Sequence, residues 1–251
     1  MVVHYIIMSS SYTDGTRIAM DITDKNLLNK NSLLEVIRCI RNYCGQDVPL
    51  STHLIQTESK VWESVVEYDP FFKDVELIGS VGEFVDKIKK SRVLSGLDVA
   101  NYILSKIKCT HLSLEKLVYF SYADYLCEYS ERLFEDKIYA FRHGPVIDSV
   151  YDTFKKSGSQ YVRPLEFGKD SAVCTSVGEL AAKSRILFVQ DGAKKIQSID
   201  QTVQKYGRYT AGQMVDITHR NGAPWSHVDS SMAYQVISDD LIKAYHYIEN
   251  V

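Results

Sequence analysis

The sequence predicts an α+β protein: a mainly α-helical C-terminal domain with a short β element, preceded by a small α/β N-terminal domain. The β-branched and aromatic runs that suit strands are concentrated near the start of the chain. After Ser95-Gly96, apolar residues recur at helical spacing instead. The chain has 251 residues, of which 45% are apolar and 24% charged, and is therefore long enough for two modest globular domains.

The first predicted domain covers residues 1–92 and mixes strands with helices. Ser80 is followed three residues later by Glu83, the spacing of a capping box, which marks the start of a helix. The other helix ends at Cys44-Gly45, because glycine favours helix termination. The expected strands are Val2–Met8, Arg17–Ile22 and Ser51–Gln56, and the expected helices are Asn31–Tyr43 and Ser80–Arg92.

The second predicted domain covers residues 95–251 and is mainly helical. Its second helix is apolar on nearly every side, which indicates a central, mostly buried helix. Pro145 suits the first turn of a helix, where its missing N–H costs nothing, so a helix is expected to start at Gly144-Pro145. The expected helices are Leu97–Ile107, His111–Glu128, 144–156, Val177–Tyr206 with a break near Asp191-Gly192, Thr210–His219 and Ser238–Ile248, with a short strand at Lys137–Phe141.

Charge and cysteine content restrict the function classes. Residues 1–95 carry 11 Lys and Arg against 13 Asp and Glu, and the whole chain has a net charge of −3. Nucleic-acid binding is disfavoured because phosphate backbones require clustered cations. The five cysteines are scattered without a CxxC pair, which argues against disulfides or structural zinc and fits a cytoplasmic protein. Cys39 and Cys127 lie in apolar helical patterns, so we expect both to be core residues.

No pattern in the sequence indicates an enzyme, a metal site, a cofactor or a membrane span. The four histidines His111, His143, His219 and His227 lack HExxH or other ligand spacing. Gly-x-Ser-x-Gly, Walker A and Gly-x-Gly-x-x-Gly are also absent from the sequence. No stretch approaches the ~20 apolar residues of a membrane helix, and the N-terminus lacks a signal peptide. We therefore expect no catalytic residues, no metal and no cofactor.

Four blocks of residues in the second region form a recognisable series. In order, they are Asp98–Leu104, Leu112–Phe120, Tyr139–Val146 with Val150-Tyr151, and Met214–His219 with Gly222–Trp225. Their order and spacing resemble a known family, the Panacea domain, also called the SocA-like antitoxin domain. The resemblance spans residues 95–250. Two residues depart from the family pattern, since Glu115 stands where glutamine is expected and His143 where tyrosine is frequent. The first 90 residues show no comparable resemblance, although the family often carries an extra N-terminal domain.

The resemblance implies an antitoxin of a type II toxin–antitoxin system, often encoded in a prophage or phage. Members of the family block a cognate protein toxin by direct contact, and a relative acts as a proteolytic adaptor that hands its toxin to a protease. The implied partners are thus a toxin and, for an adaptor, a protease. The alternative is a phage or prophage regulatory protein that binds a host protein without any neighbouring toxin.

The candidate partner-binding residues are drawn from the last two blocks of the resemblance. Gly144 and Pro145 have a structural explanation as a sharp turn, or the backbone amides exposed in the segment 143–145 could bind a partner carboxylate. His219 can bond the free carbonyls of a helix end, and Trp225 can either anchor a turn or be an interface hot spot. The candidates are His143, Gly144, Pro145, Thr218, His219, Pro224 and Trp225.

Two further functions remain open at this point. An enzyme with an unrecognised constellation, such as a metal-dependent hydrolase, would reveal itself by a tightly bound metal. Autoregulation through DNA binding by the first domain would reveal itself in a gel shift, although the acidic balance of residues 1–95 speaks against it. Many of the 17 tyrosines lie in the second region, and a subset on one face would form a protein-binding surface.

Overall fold

The computed structural model describes residues 1–12, 15–23, 30–164, 175–228 and 234–251. They form two compact units. Unit 1 comprises Met1–Val93 together with Phe188–Gln190, and unit 2 comprises Leu94–Leu187 and Asp191–Val251. Among the described residues, no helix is both long and apolar enough to cross a membrane.

Unit 1 is built on a four-stranded sheet with the order β3-β1-β2-β4. The strand β1 is antiparallel to both β2 and β3, whereas β4 runs parallel to β2. The bounds are Val2–Ser11 (β1), Thr16–Ile22 (β2), Ser51–Thr57 (β3) and Val75–Leu77 (β4). Ile7, Ile18 and Met20 form one core with the helices, and Ile6 and Met8 form another on the opposite face. Successive side chains of β1 point to opposite faces of the sheet, so a core lies on each side.

Three helices cover the sheet of unit 1: α1 (Lys30–Cys44), α2 (Trp62–Tyr68) and α3 (Val81–Ser91). The Ser80 side chain accepts a hydrogen bond from the amide of Glu83, so the predicted start of α3 is confirmed. The core below α1 and α3 contains Ile40, Phe84 and Ile88, all fully buried.

Unit 2 is arranged around α5 (His111–Tyr129), which is buried along most of its length. Thr110 caps it through the amide of Ser113, and α4 (Gly96–Lys106) starts with a capping box of Ser95 and Asp98. The remaining helices are α6 (Asp148–Phe154), α7 (Thr175–Leu187), α8 (Gly192–Tyr206), α9 (Ala211–Thr218) and α10 (Asp239–Tyr245), with short 3-10 segments at Pro224–His227 and His246–Glu249. The hairpin of β5 (Ile138–Phe141) and β6 (Gly144–Ile147) packs against α5.

The predicted α+β class is confirmed, with a small sheet at the start of the chain and helices after it. The central helix and the break near Asp191-Gly192 are also confirmed. The prediction that a helix starts at Gly144-Pro145 is wrong, because these residues belong to β6 and α6 begins only at Asp148. Proline's fixed φ also suits an edge strand, where its nitrogen can point away from the paired neighbour.

The cysteine predictions are only partly correct. Cys39 is half-buried, but Cys127 is exposed because the last turn of α5 borders an open cavity. Cys44 and Cys109 are buried instead. Cys174 lies outside the described residues.

Candidate protein-binding surface

The β5–β6 hairpin brings the predicted site residues together. Its two-residue turn consists of Arg142 and His143, and both side chains are exposed. Gly144 and Pro145 follow immediately and are buried in β6. The proposed amide cradle at a helix start is therefore wrong for this segment, since no helix begins there.

Gly144 is required at its position for two independent reasons. Its φ is +95°, a conformation that side chains with a Cβ rarely adopt. A Cβ there would also lie 2.7 Å from the Oγ1 of Thr218 and 3.1 Å from the Nζ of Lys116. The close packing of Thr218 against Gly144 thus joins the end of α9 to the hairpin.

Lys116 supports the hairpin from inside unit 2. Its side chain is completely buried on α5, and its Nζ donates a hydrogen bond of 2.6 Å to the carbonyl oxygen of Pro145. Burial lowers the pKa of Lys116 to about 8, despite the nearby carboxylates of Glu115 and Glu249. Glu115 accepts a hydrogen bond from the amide of Ile147, so two adjacent α5 residues bond the backbone of β6.

The hairpin turn is held by the other predicted residues. The indole Nε1 of Trp225 donates a 2.8 Å hydrogen bond to the carbonyl of Phe141. The two ring nitrogens of His219 lie 2.8 Å from the carbonyl oxygen of Val215 and 3.2 Å from that of Arg142. The rings of His219 and Trp225 also contact each other, with centroids 3.7 Å apart.

Pro224 places Trp225 beside the hairpin. It is buried at the first position of the 3-10 segment Pro224–His227, where a proline loses no hydrogen bond. We call Gly144, Thr218, His219 and Trp225 the hairpin anchor, since each contacts the hairpin or the end of α9 that supports it. Of the two interpretations left open for Trp225, the observed contacts support its role in anchoring the turn.

A second group of residues, two of which lie on β5, was not identified as a cluster from the sequence. The rings of Tyr139, Phe141, Tyr151 and Tyr234 form a continuous cluster, which we call the aromatic patch. Tyr234 meets both Tyr139 and Phe141 edge to face, each at 5.6 Å, and remains 61% exposed. Tyr139, Phe141 and Tyr151 are each half-buried.

The aromatic patch lies on one face of a small sheet. Along β5, Ile138 and Ala140 are buried whereas Tyr139 and Phe141 point outward, as strand alternation requires. The segment 235–237 extends the sheet, because Ala140 donates to the carbonyl of Gln235 and Ile237 donates to that of Ile138. The alternation 138–141 was visible in the sequence, but the pairing of Tyr234, almost 100 residues later, was not.

Unit 2 also contains a buried charged cluster that sequence reasoning missed. His246 is fully buried, with Nδ1 2.6 Å from Glu249 and Nε2 2.8 Å from Asp124. Burial alone would lower the pKa of His246, but its hydrogen bonds to Asp124 and Glu249 outweigh it and raise the pKa to about 9. Tyr119 and Thr202 complete the cluster by donating to Glu249 and Asp124.

The His246 cluster borders an open cavity of about 420 Å³ that is also lined by Cys127, Thr202 and Lys205. Both nitrogens of His246 and both carboxylate oxygens of Asp124 are already hydrogen-bonded within the protein. His246 therefore cannot act as a base or a ligand without losing one of these bonds. In the described part of the chain, no group of three or more His, Cys, Asp or Glu could hold a metal ion.

Comparison with known proteins finds a family match inside unit 2. The family model described as "Antitoxin SocA-like, Panacea domain" matches residues 114–226, which include every predicted site residue. The chain is also 28% identical to antitoxin SocA of Caulobacter vibrioides (strain NA1000 / CB15N) over 132 residues. That alignment covers 51% of this chain and 66% of the relative. No solved structure matches the chain. Residues 114–226 of unit 2 are therefore similar to the Panacea domain of SocA-like antitoxins, and the alignment with the relative spans less than two thirds of its length.

Proposed function

We propose that this chain is the antitoxin of a type II toxin–antitoxin pair and neutralises a protein toxin by binding it. The family match supports an antitoxin role. The observation that carries direct binding is the aromatic patch, a partly exposed group of four rings on unit 2. We treat residues 1–92 and 95–251 as separate domains and assign toxin binding to the second, acting in the cytoplasm.

The aromatic patch has the properties of a protein-binding surface. Tyrosine offers a large contact area and loses little conformational entropy on binding, because its side chain has only two rotatable angles. The neighbouring rings already restrict one another, so the surface is organised before a partner arrives. Val236, 44% exposed and paired with Tyr139, extends the apolar area. Bound there, a folded toxin would have its active site or substrate entry covered.

The predicted site residues take two roles in this proposal. His143, with its neighbour Arg142, is exposed at the turn and would contact the partner at the rim of the patch. The hairpin anchor and Pro224 would act indirectly, by holding β5 in the position that presents Tyr139 and Phe141. Pro145 contributes through the hydrogen bond that its carbonyl accepts from Lys116.

The test is to express the chain with the protein encoded by the adjacent reading frame. We expect that protein to stop growth alone, and the two proteins to restore growth and co-purify. Tyr139→Ser with Tyr234→Ser should abolish both effects, whereas Tyr247→Ser, at a tyrosine of similar exposure (68%), should abolish neither. An adjacent protein that is harmless and does not bind would overturn the proposal.

A host lacking its cytoplasmic proteases separates direct inhibition from an adaptor role. If binding alone neutralises the toxin, growth is restored equally well in that host. Loss of protection there, with the complex still forming, would instead assign the adaptor mechanism.

A further inference from the structure

The sheet of unit 1 has two edges that differ in their protection. The edge strand β4 has only three residues, and its Glu76 forms a 2.9 Å ion pair with Lys87. The edge strand β3 has seven residues, Ser51–Thr57, without a charged side chain, a proline or a glycine. Natural edge strands are normally short, charged or interrupted, because an open edge pairs with other strands. The strand β3 lacks all of these protections.

The open edge of β3 also carries an exposed apolar residue at its centre. Leu54 is directly opposite Tyr5 of β1 and is 69% exposed. Its neighbours on the same face, Thr52 and Gln56, are exposed as well. In the described part of unit 1, β3 pairs with β1 alone, so its other row of backbone N–H and C=O groups has no strand partner.

We infer that unit 1 dimerises by antiparallel pairing of β3 with β3 of a second copy. A two-fold axis at Leu54 would place Leu54 against its copy, and His53 against Ile55. Thr52 would then face Gln56, and Ser51 would face Thr57. Every cross-strand pair is free of formal charge, so the strand meets its own copy without repulsion, and the two leucines cover each other.

Self-pairing is favoured over capture of a foreign strand because one antiparallel contact would give backbone hydrogen-bond partners to the open β3 edges of both copies. The two sheets would join into one eight-stranded sheet with β4 at both ends, where the edge is short and charged. A seven-residue pairing is small for a specific interface. We therefore expect a dimer that dissociates on dilution.

Light scattering during size-exclusion chromatography of the full chain tests this inference. At about 100 µM we expect a dimer, and Leu54→Lys should convert it to a monomer, because two lysines would face each other. Leu77→Lys provides the matched control, since Leu77 is an exposed leucine (46%) on the opposite edge strand, and this variant should stay dimeric.

Disulfide formation by a cysteine variant provides a second test, because it reports which residues face each other across the two β3 strands. Residues directly opposite in an antiparallel pair have Cβ atoms about 5 Å apart, so Leu54→Cys should form a disulfide-linked dimer on mild oxidation. Leu77→Cys should not. A wild-type chain that remains monomeric at about 100 µM overturns the inference. It is equally overturned by a dimer that survives Leu54→Lys, or by a bound foreign polypeptide that this variant releases.

Discussion

The hairpin anchor and the aromatic patch are both built around the β5–β6 hairpin but have opposite characters. The polar atoms of the anchor are hydrogen-bonded to backbone, as with Trp225 to Phe141 and Thr218 to Val215. The rings of the patch are stabilised by one another and keep an exposed surface, most of all Tyr234. The anchor is therefore a scaffold, and the patch is the surface that the scaffold presents.

The residues that carry the family pattern therefore differ from those that we propose a partner contacts. The pattern includes Gly144, Thr218, His219 and Trp225, whose contacts explain why those residue types are needed. Tyr234 lies outside the matched residues 114–226, although it is the most exposed ring of the patch. In this domain, the recognisable residues build the hairpin, and less recognisable ones form the surface beside it.

The largest effect on the free energy of unfolding is expected for a substitution in the hairpin anchor. Gly144→Ala should lower the free energy of unfolding by about 3 kcal/mol, because it combines a strained φ with a clash against Thr218. Gly158→Ala is the control, since Gly158 also has a positive φ of +55° but an added Cβ would meet nothing within 4 Å, so about 1 kcal/mol is expected. Urea unfolding of both variants provides the comparison. Equal losses would show that the packing against Thr218 contributes nothing.

The buried His246 cluster belongs with the scaffold and predicts a pH dependence. The pKa of His246 is raised from 6.5 to about 9 on folding, so its stabilisation is complete below about pH 6.5 and lost as the pH rises through 9. Between pH 6 and 8 the stability should fall by about 2 kcal/mol. This range ends near the pH at which Lys116, with a pKa of about 8, is half deprotonated.

The control for this pH dependence is His246→Gln, which removes the titrating group. Its unfolding free energy should be lower than that of the wild type at pH 6 and nearly constant up to pH 8. A wild-type profile that is flat, or that rises over this range, would contradict the assignment of a protonated His246.

The smallest expected effect concerns Trp225. Trp225→Phe keeps the ring contact with His219 but removes the hydrogen bond to the Phe141 carbonyl, at a cost of about 1 kcal/mol. The folded variant should still bind its toxin with nearly unchanged affinity, because the aromatic patch is intact. Calorimetric melting and a binding titration measure the two quantities. A large loss of affinity with normal folding would place Trp225 in the interface itself.

Most of the fold could be predicted from local patterns. Capping residues such as Ser80 and Thr210, and the dense apolar run of α5, determine where helices begin and which one is buried. Gly144-Pro145 was misassigned because the fixed φ of proline suits a strand as well as a first helical turn. In the structure the Pro145 carbonyl accepts a hydrogen bond from Lys116, a tertiary contact that local sequence patterns do not reveal.

The surface and the buried cluster could not be predicted, for a common physical reason. Tyr139 meets Tyr234, and Asp124 meets His246, through contacts that span about 95 and 122 residues of chain. No local periodicity encodes such pairs. The sequence indicated only that a subset of the tyrosines, if they shared one face, would form a binding surface.

The most direct test of the proposed binding surface is the affinity of the folded Tyr139→Ser, Tyr234→Ser variant for the protein encoded by the adjacent reading frame, measured by calorimetric titration next to Tyr247→Ser. We predict that the patch variant keeps its helical content but binds at least about tenfold more weakly, while Tyr247→Ser binds like the wild type. A patch variant that binds with wild-type affinity would contradict it.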